Sequence, residues 1–166
     1  MFMTINDFVS SWTQESTGTQ RVLNTLTDAS LLQQIAPNHR KLGQLAWHIT
    51  TTVHEMMSRT GLEFPEPAGG ELAPDSAALI AAEYNRASQG LILAIQSQWT
   101  DASLLQKTNM YGEDWLNGLT LRILCSHEIH HRGQITVVMR QAGLRVPELY
   151  GPAREDWIEL GMEPHI

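Results

Sequence analysis

Apolar positions recur at helical spacing in four long stretches of the chain. The second is the most regular. Leu42, Leu45, Ile49, Thr52, Val53 and Met56 fall at i, i+3, i+7, i+10, i+11 and i+14, the stripe by which one face of an α-helix enters a core. The spacing predicts a helix over about residues 39–60, with Asn38 as its cap and Gly61 as its stop. A first helix is expected over about residues 4–26. It opens at Thr4, whose hydroxyl can cap, with Asp7 in the first turn and a stripe of Ile5, Phe8, Val9, Trp12, Gln20 and Leu23. A third, over about residues 75–99, follows Pro74 and is rich in Ala and Leu, both strong helix formers. A fourth covers about residues 113–142 and ends at Gly143. No stretch alternates apolar and polar over a strand's length, so the pattern predicts an all-α chain.

The connections are uneven. Residues 62–74 contain Pro65, Pro67, Pro74 and the pair Gly69-Gly70, which makes a long crossover rather than a tight turn. The tail, 143–166, holds Pro147, Pro152 and Pro164 and is expected to be irregular, with one short helical turn near residues 155–160. One internal repeat is exact to the letter: Thr27-Asp28-Ala29-Ser30-Leu31-Leu32-Gln33 recurs from Thr100 to Gln106. Each copy follows one long helix and precedes another. Either a helix–loop–helix unit was duplicated or two loops share one requirement. Both divide the chain into two similar helix pairs and predict a single-domain four-helix bundle over 1–166 with one long connection, about a pseudo-twofold axis.

Composition narrows the function. The 166 residues carry a net charge of −7, and a nucleic-acid footprint needs clustered Lys and Arg, so none is expected. The longest apolar runs, such as residues 91–95, fall far short of the roughly 18 residues a membrane span needs. The N-terminus lacks the basic and apolar segments of a secretory signal, and a cytoplasmic protein is expected. Cys125 is the single cysteine, which excludes an intrachain disulfide and any zinc site built on several cysteines.

Histidines carry the chemistry. The fourth helix contains His127-Glu128-Ile129-His130-His131. Residues at i and i+4 share a face of a helix, so the imidazoles of His127 and His131 can reach one metal ion. They fall in line with Ile123, Gln134 and Val138, taken as the inward stripe; His130, at i+3, is the competitor. A third ligand must come from another helix. His48 is the candidate, beside Leu45, Ile49 and Thr52, with the inward faces of helices 2 and 4 meeting at the bundle centre. His54 is turned about 240° from it, and His39 and His165 are expected in solvent. Three histidines leave a fourth position for water or substrate, as catalytic metal sites do. The same residues also spell H-E-x-x-H, in which Glu128 would be the general base of a zinc protease. The extended form of that motif needs glycine at position 134 and histidine at position 137, where the chain has Gln134 and Val137. Cys125 lies about 200° around the helix from His127 and is expected to be a buried, inert thiol.

LGQLAWHI (42–49), HEIHHRGQI (127–135) and the tail GLRVPELYGP (143–152) together resemble the DinB-like superfamily. The resemblance implies an up-down-down-up four-helix bundle with its crossover between helices 2 and 3, a metal triad on His48, His127 and His131, a divalent ion of the zinc or nickel kind, and a homodimer. Relatives of that kind include thiol S-transferases and a thiol-dependent isomerase, and many have no assigned reaction. A metal-dependent enzyme acting on a low-molecular-weight thiol or water and an electrophilic small molecule is therefore expected. The alternatives are a non-enzymatic metal-binding stress-response dimer and the zinc protease. Within the matched motif, Gln134 is one turn beyond His131 and could orient it. Gly133 costs about 1 kcal/mol inside a helix, which a close helix–helix approach would explain. Arg132 is expected to face solvent or a carboxylate such as Glu128. Glu55 is a further candidate to reach the site. The five tryptophans are expected to be core and interface anchors, Trp47 in a dimer seam.

Overall fold

Thr4 starts the first helix by accepting a hydrogen bond from the Asp7 N–H (3.1 Å), as a cap residue should. The helix, α1, runs over Ile5–Thr25. The computed structural model describes residues 1–164. In it α2 spans Leu42–Ser58, α3 Ala77–Gln98, β1 Lys107–Met110, β2 Glu113–Leu116, α4 Asn117–Gln141 and α5 Arg154–Glu159. Helical structure dominates, as the pattern predicts, and Leu42, Leu45, Ile49, Thr52, Val53 and Met56 are all buried. Phe8, Trp12, Tyr84, Ile80, Leu91, Ile95, Leu121 and Leu124 complete the centre of the core.

Two boundaries differ from expectation. α2 starts at Leu42, not near residue 39. Gln34 and Lys41 pair in a short β-bridge, and the Leu42 N–H donates to the Gln33 carbonyl (2.8 Å), so a turn closed by the bridge occupies residues 35–40 and the helix begins only after it. Asn38 sits in the left-handed region (φ +63°) inside that loop, away from the cap position. α4 starts at Asn117 because residues 107–116 form an antiparallel hairpin, with Lys107 opposite Leu116 and Met110 opposite Glu113. Its two turn residues, Tyr111 (φ +56°) and Gly112 (φ +93°), both take the left-handed conformation that a twisted two-residue hairpin turn demands. Tyr111 is held there from α2. Its hydroxyl donates to Glu55 (2.7 Å), and the Arg59 guanidinium lies over its ring.

The repeat has a physical explanation. Each copy forms a 3₁₀ turn, Ala29–Leu32 and Asp101–Leu105. In each, the first threonine's N–H donates to the serine hydroxyl, at 3.0 Å for Thr27–Ser30 and 3.1 Å for Thr100–Ser103. In each, the first leucine is buried and the second exposed. Asp28 accepts from the N–H of Ala77, the first residue of α3, and Asp101 accepts from the N–H of Ile5, the first residue of α1, both at 2.8 Å. The two halves thus cap each other reciprocally, satisfying helix-start donors that lack an intrahelical partner. Asp28→Ala and Asp101→Ala are each expected to lower stability by about 1 kcal/mol. The double variant should lose roughly the sum, since the sites are independent. Urea denaturation of the three variants checks this; unequal or strongly non-additive losses would count against equivalent roles.

Contacts between element ends set the direction of each helix. Glu63, just past α2, exchanges two hydrogen bonds with Gln98 at the end of α3 (3.0 and 2.7 Å). The Phe2 N–H, just before α1, donates to the Gly118 carbonyl at the start of α4 (3.1 Å). With the aspartate caps, one end of the bundle therefore collects the starts of α1 and α4 and the ends of α2 and α3. α1 and α4 run one way, and α2 and α3 the other. Laterally, α1 packs on α3 and α4, and α2 packs on the same two helices. Equivalent helices of the two halves, α1 with α3 and α2 with α4, are direct neighbours.

The crossover covers Trp47, which is buried and donates its indole N–H to the Gly70 carbonyl (3.0 Å). Its expected place in a dimer seam is corrected accordingly: the chain's own loop seals it. Gly69 (φ +145°) lies against the same ring, where an added Cβ would come within 2.9 Å. Gly133 makes no close helix contact, as a Cβ there would meet nothing within 4 Å. α1 and α4 come close instead at Gly18 of α1, where a Cβ would lie 3.1 Å from the Arg132 guanidinium.

Candidate metal centre

α2 presents His48 at the edge of its buried stripe, and α4 presents His127 and His131 one turn apart. Because α2 and α4 pack antiparallel, the three rings meet. Their centroids are 4.9 Å apart for His48–His127, 4.6 Å for His48–His131 and 4.3 Å for His127–His131. One ring nitrogen from each lies within 4.8 Å of the others. Among the described residues this is the group of three metal-ligating side chains able to hold an ion. It is half-buried in the groove between α2 and α4, not at the bundle centre as expected. The reason lies in α4. Its inward face is Leu121, Leu124, Cys125, Glu128, Arg132, Ile135 and Met139. The line through Ile123, His127, His131 and Gln134 runs along the edge of that face and re-enters the core only at Val138.

The donors suit a metal ion. Burial, first of all, pushes the His48 imidazole down to about 4, and the nearby Arg40 charge and His131 add to it. His127 is likewise pushed down to about 4 by burial, then by its neighbouring imidazoles. His131 is lowered too, chiefly by burial, while its bond to Gln134 opposes this. All three rings are therefore neutral at pH 7, with lone pairs free to coordinate. The Nε2 atoms of His48 and His127 face each other at 3.1 Å. Two imidazoles on one tetrahedral zinc, each at about 2.0–2.1 Å, sit roughly 3.3 Å apart, so the pocket is already near ligand spacing.

Gln134 hydrogen-bonds one of the three imidazoles. Its carbonyl oxygen accepts from the Nδ1–H of His131 (2.7 Å), which leaves the His131 Nε2 unprotonated. Its amide donates to the Nε2 of His130 (3.1 Å). His130 is exposed, so it braces Gln134 rather than competing for the ion. Glu55 stands beside His48 in one cleft, but its carboxylate is taken by Arg59 (2.7 Å) and the Tyr111 hydroxyl (2.7 Å). His54 packs its ring on Phe64 at 5.0 Å, and His39 is exposed before α2. His165 lies outside the described residues.

The two residues beside the histidines, Glu128 and Arg132, turn into the core. Glu128 is one position, about 100°, from His127, which turns it into the core. There it accepts from the Tyr84 and Thr19 hydroxyls, and burial pushes its carboxyl up to about 7. A carboxylate facing away from the imidazoles cannot act as base on a ligand they hold, so the protease arrangement is absent. Arg132 is only 2% exposed and does face a carboxylate, that of Glu15 of α1 (2.5 Å), in place of solvent or Glu128. It also donates to Thr19 (3.2 Å), the Glu15 carbonyl (2.7 Å) and the Tyr150 hydroxyl (2.5 Å). Tyr150 belongs to the tail, so the R of H-R-G-Q and the Y of the tail motif form one buried network. A sequence signal for this existed in the i,i+4 spacing of Glu128 and Arg132 within an otherwise apolar face. Cys125 is buried, and its thiol is pushed up to about 12 by burial and by Glu128, which makes it unreactive as expected.

Clefts open on both sides of the imidazoles. On the His48 side one of about 620 Å³ is lined by Thr51, Thr52, Glu55, Pro67 and Glu71. On the His131 side one of about 430 Å³ is lined by Ile35, Arg40, Leu45, Val137 and Val138. Among the described residues no helix is long and apolar enough to cross a membrane.

A model of the DinB family matches residues 1–163. The uncharacterized protein YrdA of Bacillus subtilis (strain 168) is 45% identical over 163 residues, which is 98% of either chain. A DinB-like protein from Bacillus cereus ATCC 10987, known from a crystal structure, is also 45% identical; its full length overlays 90% of this chain with a TM-score of 0.87. The crystal structure of the DinB-like protein YjoA of Bacillus subtilis shares 16% identity and a TM-score of 0.69, over 88% of this chain and 99% of that one, a likeness of fold. With a family match along nearly its whole length and a relative of 45% identity, this chain belongs to the DinB family.

Proposed function

We propose that this protein is a cytoplasmic, homodimeric, metal-dependent enzyme that transfers a low-molecular-weight thiol, or adds water, to an electrophilic small molecule. The observation that carries this reading is the convergence of three neutral imidazole donors from two helices in a groove open to clefts on both sides. A divalent ion of the zinc or nickel kind, bound by His48, His127 and His131, would supply Lewis-acid activation that makes a thiol or water nucleophilic near neutral pH. Three protein ligands leave room for a small molecule at the ion. The protein's part is to hold the donors. The α2–α4 packing fixes their separation, Gln134 fixes the His131 tautomer, and partial burial keeps the rings unprotonated. The clefts give a second reactant a place beside the ligands. The net charge of −7 fits a small-molecule substrate better than a nucleic acid.

The test is turnover. Protein purified without a histidine tag and loaded with zinc or nickel is assayed with glutathione, cysteine and other small thiols against a chloro-dinitroarene. Thiol-dependent turnover lost in His48→Ala supports the proposal. If every thiol gives the same rate with wild type as with His48→Ala while chelation lowers the melting temperature, the ion is structural and the enzyme reading fails.

A further inference from the structure

The two clefts beside the imidazoles differ in character. The His48 side carries Glu55, Glu66 and Glu71, and its Arg59 is already paired with Glu55. The His131 side is walled by Ile35, Leu45, Val137 and Val138, with His39 and Arg40 at its rim. Ile35 is 53% exposed and Val137 49%, so apolar surface is left in water around a hollow of about 430 Å³. Arg40 has no hydrogen-bond or ion-pair partner among the described residues. Its charge acts on all three imidazoles, so it stands within electrostatic reach of the centre. An uncompensated cation over apolar walls, in a protein of charge −7, draws a small anion to that spot and not to the acidic side.

We infer that the cleft on the His131 side seats an apolar organic anion, a carboxylate on an aryl or alkyl body, with the hydrocarbon against Ile35, Leu45, Val137 and Val138 and the carboxylate on Arg40. This deepens the proposed function by naming the class of the electrophilic substrate, and it places the substrate's body on one side of the ligands, leaving the acidic cleft for the other reactant. Contacts of this kind orient a molecule without taking part in the reaction, so Arg40 is a positioning residue.

The test uses metal-free full-length protein, so that coordination of the carboxylate by an ion plays no part. 4-Phenylbutyrate and its neutral amide are titrated by calorimetry at low salt. The acid should bind about fivefold tighter than the amide, the ceiling for a solvent-exposed charge pair, and added salt should narrow the gap. Arg40→Gln should bring the acid down to the affinity of the amide. Val137→Asp should weaken both, and Glu71→Gln, on the other side, should change neither. Equal binding of acid and amide by the wild type, or a preference that survives Arg40→Gln, overturns the inference. Anion preference in a protein that takes up no metal would sustain it while defeating the proposed function, so the two fail separately.

Discussion

Replacing Arg132 by Ala is expected to cost about 3–5 kcal/mol of folding stability, the usual loss when one member of a buried ion pair is removed. The guanidinium joins Glu15 and Thr19 of α1 to Tyr150 of the tail, and its charge offsets that of buried Glu128. Without it Glu15 and Glu128 keep their acidic groups in a low-dielectric interior with no cation near. The tail loses its anchor at the same time, since the Tyr150 hydroxyl also donates to Glu15 (2.5 Å). Urea unfolding measures the loss. Glu15→Gln with Arg132→Met should recover much of it, because a neutral, well-packed pair avoids the stranded charge. A single-variant loss below about 1 kcal/mol would show that the network is not a support of the fold.

The second large effect falls on metal affinity. His127→Ala should weaken zinc binding by more than about 100-fold, since even loss of an outer hydrogen-bond partner costs about 10–100-fold. Gln134→Leu should fall inside that lower range because it frees only the His131 tautomer. Neither should unfold the protein, as both side chains are at the groove and not in the core. The pH profile separates this site from free imidazole. With His48 and His127 pushed down to about 4, protons compete for those two donors only as pH falls through about 4, well below the roughly 6.5 of unperturbed imidazole, and His131 is lowered in the same direction. Metal content after dialysis at graded pH should hold at pH 5.5 and fall near pH 4; release centred at pH 6 or above would contradict the burial argument. The metal-free chain carries a linked effect. Its unfolded histidines titrate near 6.5, above the folded values, so the stability these rings contribute is full above 6.5 and is lost as pH falls toward about 4. Glu128 acts in the opposite sense. Its folded value of about 7 is raised, so its contribution is present at low pH and is lost as pH rises through 7.

The helical periods, the crossover, the repeat and the i,i+4 histidine pair were all legible along the chain, because each is set by local spacing or by residues with strong backbone preferences. His48 was legible once a third imidazole was required on a neighbouring helix. The hairpin of residues 107–116 was not, because its strands are four residues long and its turn uses Tyr111, whose left-handed backbone is held by contacts to α2. Nor was the division of α4. A helix of period 3.6 places Glu128 and Arg132 about 100° from the histidines, and that offset is written in the sequence. Which of the two faces turned inward was decided by what α1, α3 and the tail brought to meet them: Thr19, Tyr84, Glu15 and Tyr150. Periodicity ranks faces by hydrophobicity, and a buried charge defeats that ranking whenever distant partners satisfy it. Sequence alone therefore determined which side chains could share a metal ion. Tertiary packing decided that they would meet in a groove at the surface, between one acidic and one apolar cleft, and not in the centre of the bundle.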